Sequence, residues 1–211
     1  MFENWVRPVE QIVLSSVQKG HRIIGFTAPE GSSGVSTLAT ATAEVCAHSG
    51  FRTLLVDFTF RAAENAIRSG WLPGATPPNQ SICHGARGFD YIDVQPNSFN
   101  QFAFNNVAAL RKDLDELIEY EKIVIDLPPA NGVSSKGINP AAAAAGCDAV
   151  FLVCVLGRLT RARLRYALEL ASSAGVKLVG IVLTDIDDFS SMPGVKHVAD
   201  RGLRSNSPLA E

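Results

Sequence analysis

The sequence is poor in charged residues and lacks both a basic excess and a long hydrophobic run. Only 19% of its 211 residues are charged, whereas 46% are hydrophobic, which excludes disorder for most of the chain. Its 19 basic and 21 acidic side chains give a net charge of −2, and a general nucleic-acid-binding protein needs a clearly basic face. The longest apolar runs, such as residues 149–157, are too short to cross a bilayer. Nucleic acid and direct membrane insertion are therefore not expected.

Cysteine is also scarce, and its spacing indicates no metal site. The cysteines are Cys46, Cys83, Cys147 and Cys154. They form no Cys-x-x-Cys pair and no short-range spacing with histidine, so zinc is not indicated. We expect buried thiols in a reducing compartment. The N-terminus, MFENWVRPVEQ, lacks the basic start and apolar core of a signal peptide. A cytoplasmic protein is expected, which reaches the inner membrane only through a partner.

What the chain does have is an alternation of short apolar segments with helical patterns. Strands are predicted over 22–27, 52–58, 91–94, 122–127, 148–155 and 176–184. Helices are predicted over 8–19, 37–48, 61–69, 105–120, 140–145 and 160–174, with an irregular loop over 70–90. This order predicts the α/β class: a single doubly wound, mostly parallel sheet with helices on both faces. Residues 1–187 form the predicted domain and 188–211 a polar C-terminal tail.

Three polar signals fall at the carboxyl ends of predicted strands, where such sheets bind ligands. The first is a Gly/Ser-rich loop, in which Gly31 and Gly34 let backbone N–H groups turn inward while the next helix points its positive end at the same place. The other two are the carboxylates Asp57 and Asp126, each at the end of a buried strand. Since Mg²⁺ prefers oxygen ligands, carboxylates beside a phosphate-binding loop indicate a magnesium–nucleotide site.

Three segments resemble the nucleotide motifs of the bacterial tyrosine kinases of capsule and exopolysaccharide synthesis, which belong to the wider MinD/ParA group of deviant P-loop ATPases. They are residues 27–39 (TAPEGSSGVSTLA), 54–61 (LLVDFTFR) and 122–130 (KIVIDLPPA). Residues 148–187 resemble that family's closing strand–helix–strand, so the resemblance covers about residues 10–187. It implies a P-loop NTPase-like fold.

The resemblance also implies a nucleotide site for ATP or ADP with magnesium. Ser36, Asp57 and Asp126 would hold the metal and its water. The loop from Gly31 to Thr37 would cradle the phosphates, and Thr184 stands where the family has an asparagine near the adenine. The implied nucleotide-site residues are Gly31, Ser32, Ser33, Gly34, Val35, Ser36, Thr37, Arg61 and Thr184. Arg61 follows the aspartates of the second motif.

Several family signatures are missing, and most of them concern charge. Val35 replaces the P-loop lysine, and the group's earlier signature lysine falls at or near Glu30. Because one charge-assisted contact to a phosphate contributes roughly 1.5–3 kcal/mol, the loss of the P-loop lysine alone weakens binding ~10–150-fold. Turnover suffers more, since the lysine also stabilises the transition state. Thr59 replaces the second aspartate of the Asp-x-Asp motif.

Signatures of assembly and autophosphorylation are missing as well. The family's N-terminal Glu-x-x-Arg-x-x-Arg pattern has Val13 and Ser16 at its arginine positions, which favours a monomer or a homodimer over the family's ring. The C-terminal tyrosine cluster is absent, since the tyrosines are Tyr91, Tyr120 and Tyr166.

The first interpretation is a catalytically degenerate kinase-like protein, a pseudokinase or pseudo-ATPase. It would regulate or scaffold polysaccharide synthesis and export by docking on the cytoplasmic segment of a membrane polysaccharide co-polymerase. The alternatives are an active ATPase or tyrosine autokinase of the same pathway, and a MinD/ParA-type positioning ATPase. Lys136 is a candidate surrogate for the lost lysine. The arginine row within 158–165 is either a solvated helix face or a contact for an acidic partner.

Overall fold

The structure is a computed structural model that describes residues 3–59, 70–74, 76–95, 106–130 and 139–184, without the side chains of residues 3–7. The helices of this part are α1 (Glu3–Gln18), α2 (Val35–His48), α3 (Val107–Asp115), α4 (Pro140–Ala145) and α5 (Arg161–Ser173). The strands are β1 (Ile23–Thr27), β2 (Thr53–Asp57), β3 (Cys83–His84), β4 (Asp90–Asp93), β5 (Lys122–Asp126), β6 (Ala149–Val155) and β7 (Leu178–Thr184).

The seven strands form one sheet in the order β3-β4-β2-β5-β1-β6-β7. Neighbouring strands are parallel, except that β3 pairs with β4 in the antiparallel sense. β1, β5 and β6 are buried along their whole length, as expected for central strands of a sheet covered on both faces. The predicted fold class is confirmed.

Successive residues of the central strands enter two different apolar clusters, as the alternation of side chains along a strand requires. Ile23 joins the cluster that contains Leu110 and Leu114 of α3, whereas Ile24 joins the cluster that contains Ile12 of α1 and the apolar face of α2. α3 and α4 therefore cover one face of the sheet, and α1 and α2 cover the other.

The first helix is longer than predicted. α1 begins at Glu3 rather than at residue 8, so Pro8 lies inside the helix and not in its first turn. A proline removes the one hydrogen bond that its own N–H would make, and burial of Val9 and Ile12 against α2 and the sheet stabilises the helix around it. The end at Gly20 is confirmed, because this residue has φ +68° and its N–H donates to the Val17 carbonyl.

The third described helix is shorter than predicted. α3 ends at Asp115 instead of continuing to residue 120. The carbonyls beyond it accept from a side chain far away in the sequence, because Arg22 donates to the carbonyls of Leu117 and Tyr120. The loop predicted over 70–90 contains a short 3-10 helix (Pro78–Ser81) and β3.

Some predicted features lie outside the described residues, namely the helix over 61–69, the domain boundary at residue 187 and the tail over 188–211. Within the described residues, none of the helices combines the length and the hydropathy that a membrane span requires.

Candidate functional site

The Gly/Ser-rich loop connects β1 to α2 at the carboxyl edge of the sheet. Its two left-handed residues are Ser32, with φ +59°, and Gly34, with φ +80°. Backbone N–H groups around such alternating conformations form concave anion-binding nests. The sequence predicts Gly34 as a position that needs the freedom of glycine, and its positive φ agrees with this. Gly31, the other predicted glycine, has no positive φ, and a Cβ there would lie 3.9 Å from Pro129 Cγ.

Side chains within the loop bond to the protein itself. The Ser33 hydroxyl donates to the Glu30 carbonyl at 2.7 Å, and Ser33 is 4% exposed. The Ser33 carbonyl accepts a long hydrogen bond of 3.4 Å from the Thr184 hydroxyl at the end of β7. The structure thus brings Thr184 to the loop, as the resemblance implies, but its hydroxyl and that of Ser33 bond to backbone carbonyls.

The start of α2 holds the residues at which the family pattern has its lysine and its metal-binding hydroxyl. Val35 is half-buried and packs against the edge of the apolar cluster under α1 and α2. Ser36 and Thr37 follow in the first turn and are half-buried. Gly34 occupies the N-cap position, and no side chain of the described residues caps the first turn of this helix.

Three neighbouring strands end in aspartates. Asp57 of β2 and Asp126 of β5 are register partners, and Asp93 of β4 is the register partner of Asp57 on its other side. Adjacent strands lie about 4.8 Å apart, so these residues stand side by side along one edge. The sequence predicts Asp57 and Asp126 at this edge but not Asp93, although a similar signal, a carboxylate close to the end of a short predicted strand, is present there.

Thr59 changes the chemistry of Asp57. Both its backbone N–H and its hydroxyl donate to Asp57 Oδ1, each at 2.6 Å. An aspartate at position 59, as in the family pattern, would add a second negative charge and no side-chain donor. The threonine instead closes a small hydrogen-bonded turn on the carboxylate. Asp126 is 4% exposed, so the second carboxylate is almost fully buried.

The glycine loop also contacts α5. The Glu30 carboxylate forms an ion pair with the guanidinium of Arg163, and their side chains are 30% and 56% exposed. Arg163 lies in the first turn of α5, where its N–H donates to the N-cap hydroxyl of Thr160 at 3.3 Å. The sequence alone predicts either a solvated helix face or contact with an acidic partner for this arginine. The structure places it on an acidic residue of the same chain.

Two other predicted site residues, Arg61 and Lys136, lie outside the described residues. Among the residues that are described, histidine, cysteine, aspartate and glutamate side chains do not assemble in groups of three or more that could hold a metal ion.

Known proteins resemble this chain in sequence and in structure. No protein-family model matches the chain. It is 27% identical over 190 residues to the tyrosine-protein kinase CpsD of Streptococcus agalactiae, a match that covers 81% of this chain and 78% of that protein. The structure also superposes on the kinase domain of the Escherichia coli tyrosine kinase ETK with a TM-score of 0.71 and 21% identity, covering 85% and 75% of the two chains.

Other similar structures are not kinases. Cobyrinic acid a,c-diamide synthase of Mycobacterium smegmatis, solved with bound ADP and magnesium, gives a TM-score of 0.61 at 16% identity over 77% of this chain and 74% of that one. MinD of Aquifex aeolicus gives 0.58 at 18% identity over 77% and 68%. The structural matches show a shared fold, and the match to CpsD adds a relationship in sequence. The chain is therefore a homologue of the tyrosine-protein kinase CpsD, and it shares its fold with the kinase domain of ETK and with MinD.

Proposed function

We propose that this chain is a catalytically degenerate homologue of the bacterial tyrosine kinases, which regulates or scaffolds capsule- or exopolysaccharide-type synthesis and export without turning over ATP. The observation on which this depends is the placement of Val35. It occupies the position of the P-loop lysine, and its side chain packs against the apolar cluster under α1 and α2. The position therefore provides core packing in place of a positive charge.

The remaining charges at the loop support the same conclusion. Arg163 is paired with Glu30, so the positive charge that the structure brings to the loop is balanced by an acidic residue of the loop. Since one charge-assisted contact to a phosphate is worth roughly 1.5–3 kcal/mol, the loss of the lysine weakens nucleotide binding by one to two orders of magnitude.

The aspartates fit a magnesium ion poorly. Asp57 Oδ1 already accepts two hydrogen bonds of 2.6 Å from Thr59, and Asp126 is almost fully buried. A magnesium ion in a nucleotide site keeps several waters and takes few protein oxygens, so each carboxylate oxygen that the protein itself uses weakens the site. Ser36 would supply the remaining protein oxygen.

A chain without turnover acts through binding. Residues 1–187 would form the binding domain and residues 188–211 a separate tail. The proposed partner is the cytoplasmic segment of a membrane polysaccharide co-polymerase, which would place the chain at the inner membrane as a monomer or homodimer. The homology to tyrosine kinases supports this pathway, and the altered loop supports a role that does not consume ATP.

Isothermal titration with Mg-ATP and Mg-ADP tests the proposal. We expect no heat of binding for the wild-type chain at micromolar concentrations, and a gain of binding for Val35→Lys. Val35→Gln is the matched control, because it removes the same apolar packing without adding charge, and it should gain nothing. Micromolar affinity of the wild-type chain, lost in Asp57→Ala, would overturn the proposal.

One observation favours a second candidate, an active ATPase or tyrosine autokinase of the same pathway. The loop keeps left-handed residues at Ser32 and Gly34, as an anion-binding nest requires. An autophosphorylation assay with labelled ATP separates the two. All three tyrosines are described: Tyr166 is 53% exposed and Tyr91 is half-buried, whereas the Tyr120 hydroxyl donates to Asp90 at 2.6 Å. Label on Tyr166 that disappears in Asp57→Ala would support the active enzyme.

A further inference from the structure

The Glu30–Arg163 ion pair joins two parts of the carboxyl edge that are 133 residues apart in sequence. Glu30 belongs to the loop between β1 and α2, and Arg163 belongs to the first turn of α5, which connects β6 to β7. These segments lie on different connections of the sheet, so the ion pair is a tertiary contact across the candidate site.

Each partner stands on backbone that is itself held in place. On the loop side, the Ser33 hydroxyl bonds to the Glu30 carbonyl at 2.7 Å. On the helix side, the Thr160 hydroxyl accepts the Arg163 N–H at 3.3 Å. Both side chains therefore start from backbone that is already ordered, so forming the ion pair costs mainly side-chain rotamer entropy.

The loop conformation is one that a free chain would not favour. Ser32 has φ +59°, and a non-glycine residue in the left-handed region is disfavoured by contact of its Cβ with the following carbonyl. Such conformations persist when surrounding contacts impose them. Within the described residues, the contacts that reach the loop from outside it include the Thr184 hydrogen bond, which is long at 3.4 Å, and the charged contact from Arg163.

We propose that Arg163 is a positioning residue for the glycine loop, and that its ion pair with Glu30 holds the loop against α5. Arg163 thus orders the loop from within the chain, and any acidic partner group or phosphate that reaches the loop must compete with Glu30 for it. This role goes beyond the loss of ATP turnover, because it holds whether or not the chain binds nucleotide.

A double-mutant cycle measured by hydrogen–deuterium exchange tests this role. Glu30→Gln and Arg163→Gln should each raise exchange in the peptide over residues 29–37 about two- to fivefold, as expected for a partly exposed ion pair. The double variant should exchange no faster than either single variant, because both changes remove the same contact. Arg165→Gln, an exposed arginine of the same helix, is the matched control and should leave loop exchange unchanged.

The charge-reversed chain, Glu30→Arg with Arg163→Glu, separates the ion pair from a general effect on folding. It should return loop exchange towards the wild-type rate, whereas each reversal alone should raise it. Thermal unfolding followed by circular dichroism checks that all variants fold. Three outcomes would overturn the proposal. The effects of Glu30→Gln and Arg163→Gln on loop exchange could be additive, or either variant could exchange no faster than Arg165→Gln. The third is a charge-reversed chain in which loop exchange does not recover. None of these outcomes depends on nucleotide, so the titrations of Val35→Lys remain a separate test.

Discussion

The two ends of the sheet use charged side chains in different ways. At the amino ends of β1, β5 and β6, charged groups join neighbouring elements through several hydrogen bonds each. Asp148 accepts from the backbone N–H groups of Arg22 and Ile23 at 2.9 and 2.8 Å, and from the guanidinium of Arg111 at 2.6 Å. Arg22 in turn donates to the Tyr120 carbonyl at 2.9 Å. These groups stabilise the packing of α3 against the sheet.

The pKa values at this end agree with that role. Burial raises the pKa of Asp148, but the hydrogen bonds from Arg111, Ile23 and Arg22 outweigh it and hold the pKa below its ordinary value of 3.8. Burial and the hydrogen bond to Asp90 both raise the pKa of Tyr120. The native structure therefore favours the charged carboxylate and the protonated phenol that make these contacts.

At the carboxyl ends, three strand-end aspartates stand side by side, but the charged groups beside the glycine loop bond locally. Val35 and Thr59 are uncharged at the positions where the kinase motifs that this sequence resembles have a lysine and an aspartate. Thr59 bonds to Asp57, and Glu30 pairs with Arg163. The comparison shows which charges the fold requires. Charged groups at the amino ends hold helices to strands, so the fold depends on them. Charges at the glycine loop do not hold a helix to the sheet in this way, so they can be lost without loss of the architecture.

Removal of the Asp148 carboxylate should have the largest effect, because it breaks the amino-end network at its centre. In Asp148→Asn the guanidinium of Arg111 loses a charged partner. Since charge-assisted hydrogen bonds in partly buried sites are worth about 2–3 kcal/mol, we expect a loss of that size in the free energy of unfolding measured with urea. The matched change at the other end, Asp57→Asn, should cost less than about 1 kcal/mol. Equal losses would contradict the comparison.

The next largest effect is expected from a comparison of two glycine substitutions, one in β1 and one in the loop that follows it, in their cost to the free energy of unfolding. A Cβ at Gly25 in β1 would lie 2.8 Å from Cys147 Sγ and 2.9 Å from Leu127 Cδ1, so Gly25→Ala should destabilise the protein by about 1–3 kcal/mol through overpacking. Gly31→Ala, in the loop, meets only Pro129 Cγ at 3.9 Å and should change the unfolding free energy by less than about 0.5 kcal/mol. Thermal and urea unfolding measure both. A cost at Gly31 equal to that at Gly25 would show that the loop is packed as tightly as the strand.

Acid should remove the contribution of Asp148 selectively. Its pKa in the folded protein lies below 3.8, so the folded state favours the ionised form more than the unfolded chain does. The resulting stabilisation is complete well above pH 4 and is lost as the pH falls through the folded-state pKa. The difference in unfolding free energy between wild type and Asp148→Asn should therefore be constant near neutral pH and shrink below about pH 4. A difference that grows on acidification would show the opposite sign of the shift.

Much of the fold could be predicted because its signals are local. Gly20 ends α1 through its own left-handed conformation, and Thr160 caps α5 through its own hydroxyl. The apolar runs that became β5 and β6 needed no knowledge of their neighbours. The Gly/Ser-rich loop and the aspartates at Asp57 and Asp126 followed from the rule that parallel strands end at one edge.

The features that were missed depend on contacts between distant segments. The early end of α3 reflects the hydrogen bonds from Arg22, and the contact of Arg163 with Glu30 depends on where α5 packs. The left-handed conformation of Ser32 was also not predictable from sequence, because residue preference alone assigns that conformation to Gly31. Sequence patterns identified the elements of the site, while the bonds between them came from packing.

Ser32→Gly, which relieves the backbone strain at this position, should have the smallest effect on the free energy of unfolding. It is also the only one of these changes that should increase stability. A left-handed non-glycine residue costs roughly 1–2 kcal/mol, whereas glycine loses about 0.5–1 kcal/mol more conformational entropy on folding. Ser32→Gly, with φ +59° in the wild type, should therefore stabilise the chain by about 0.5 kcal/mol. The matched control is Gly34→Ser, which places a Cβ at φ +80° and should destabilise it by about 1 kcal/mol. Thermal unfolding measures both, and a loss of stability in Ser32→Gly would mean that the serine side chain contributes more to the loop than its backbone strain costs.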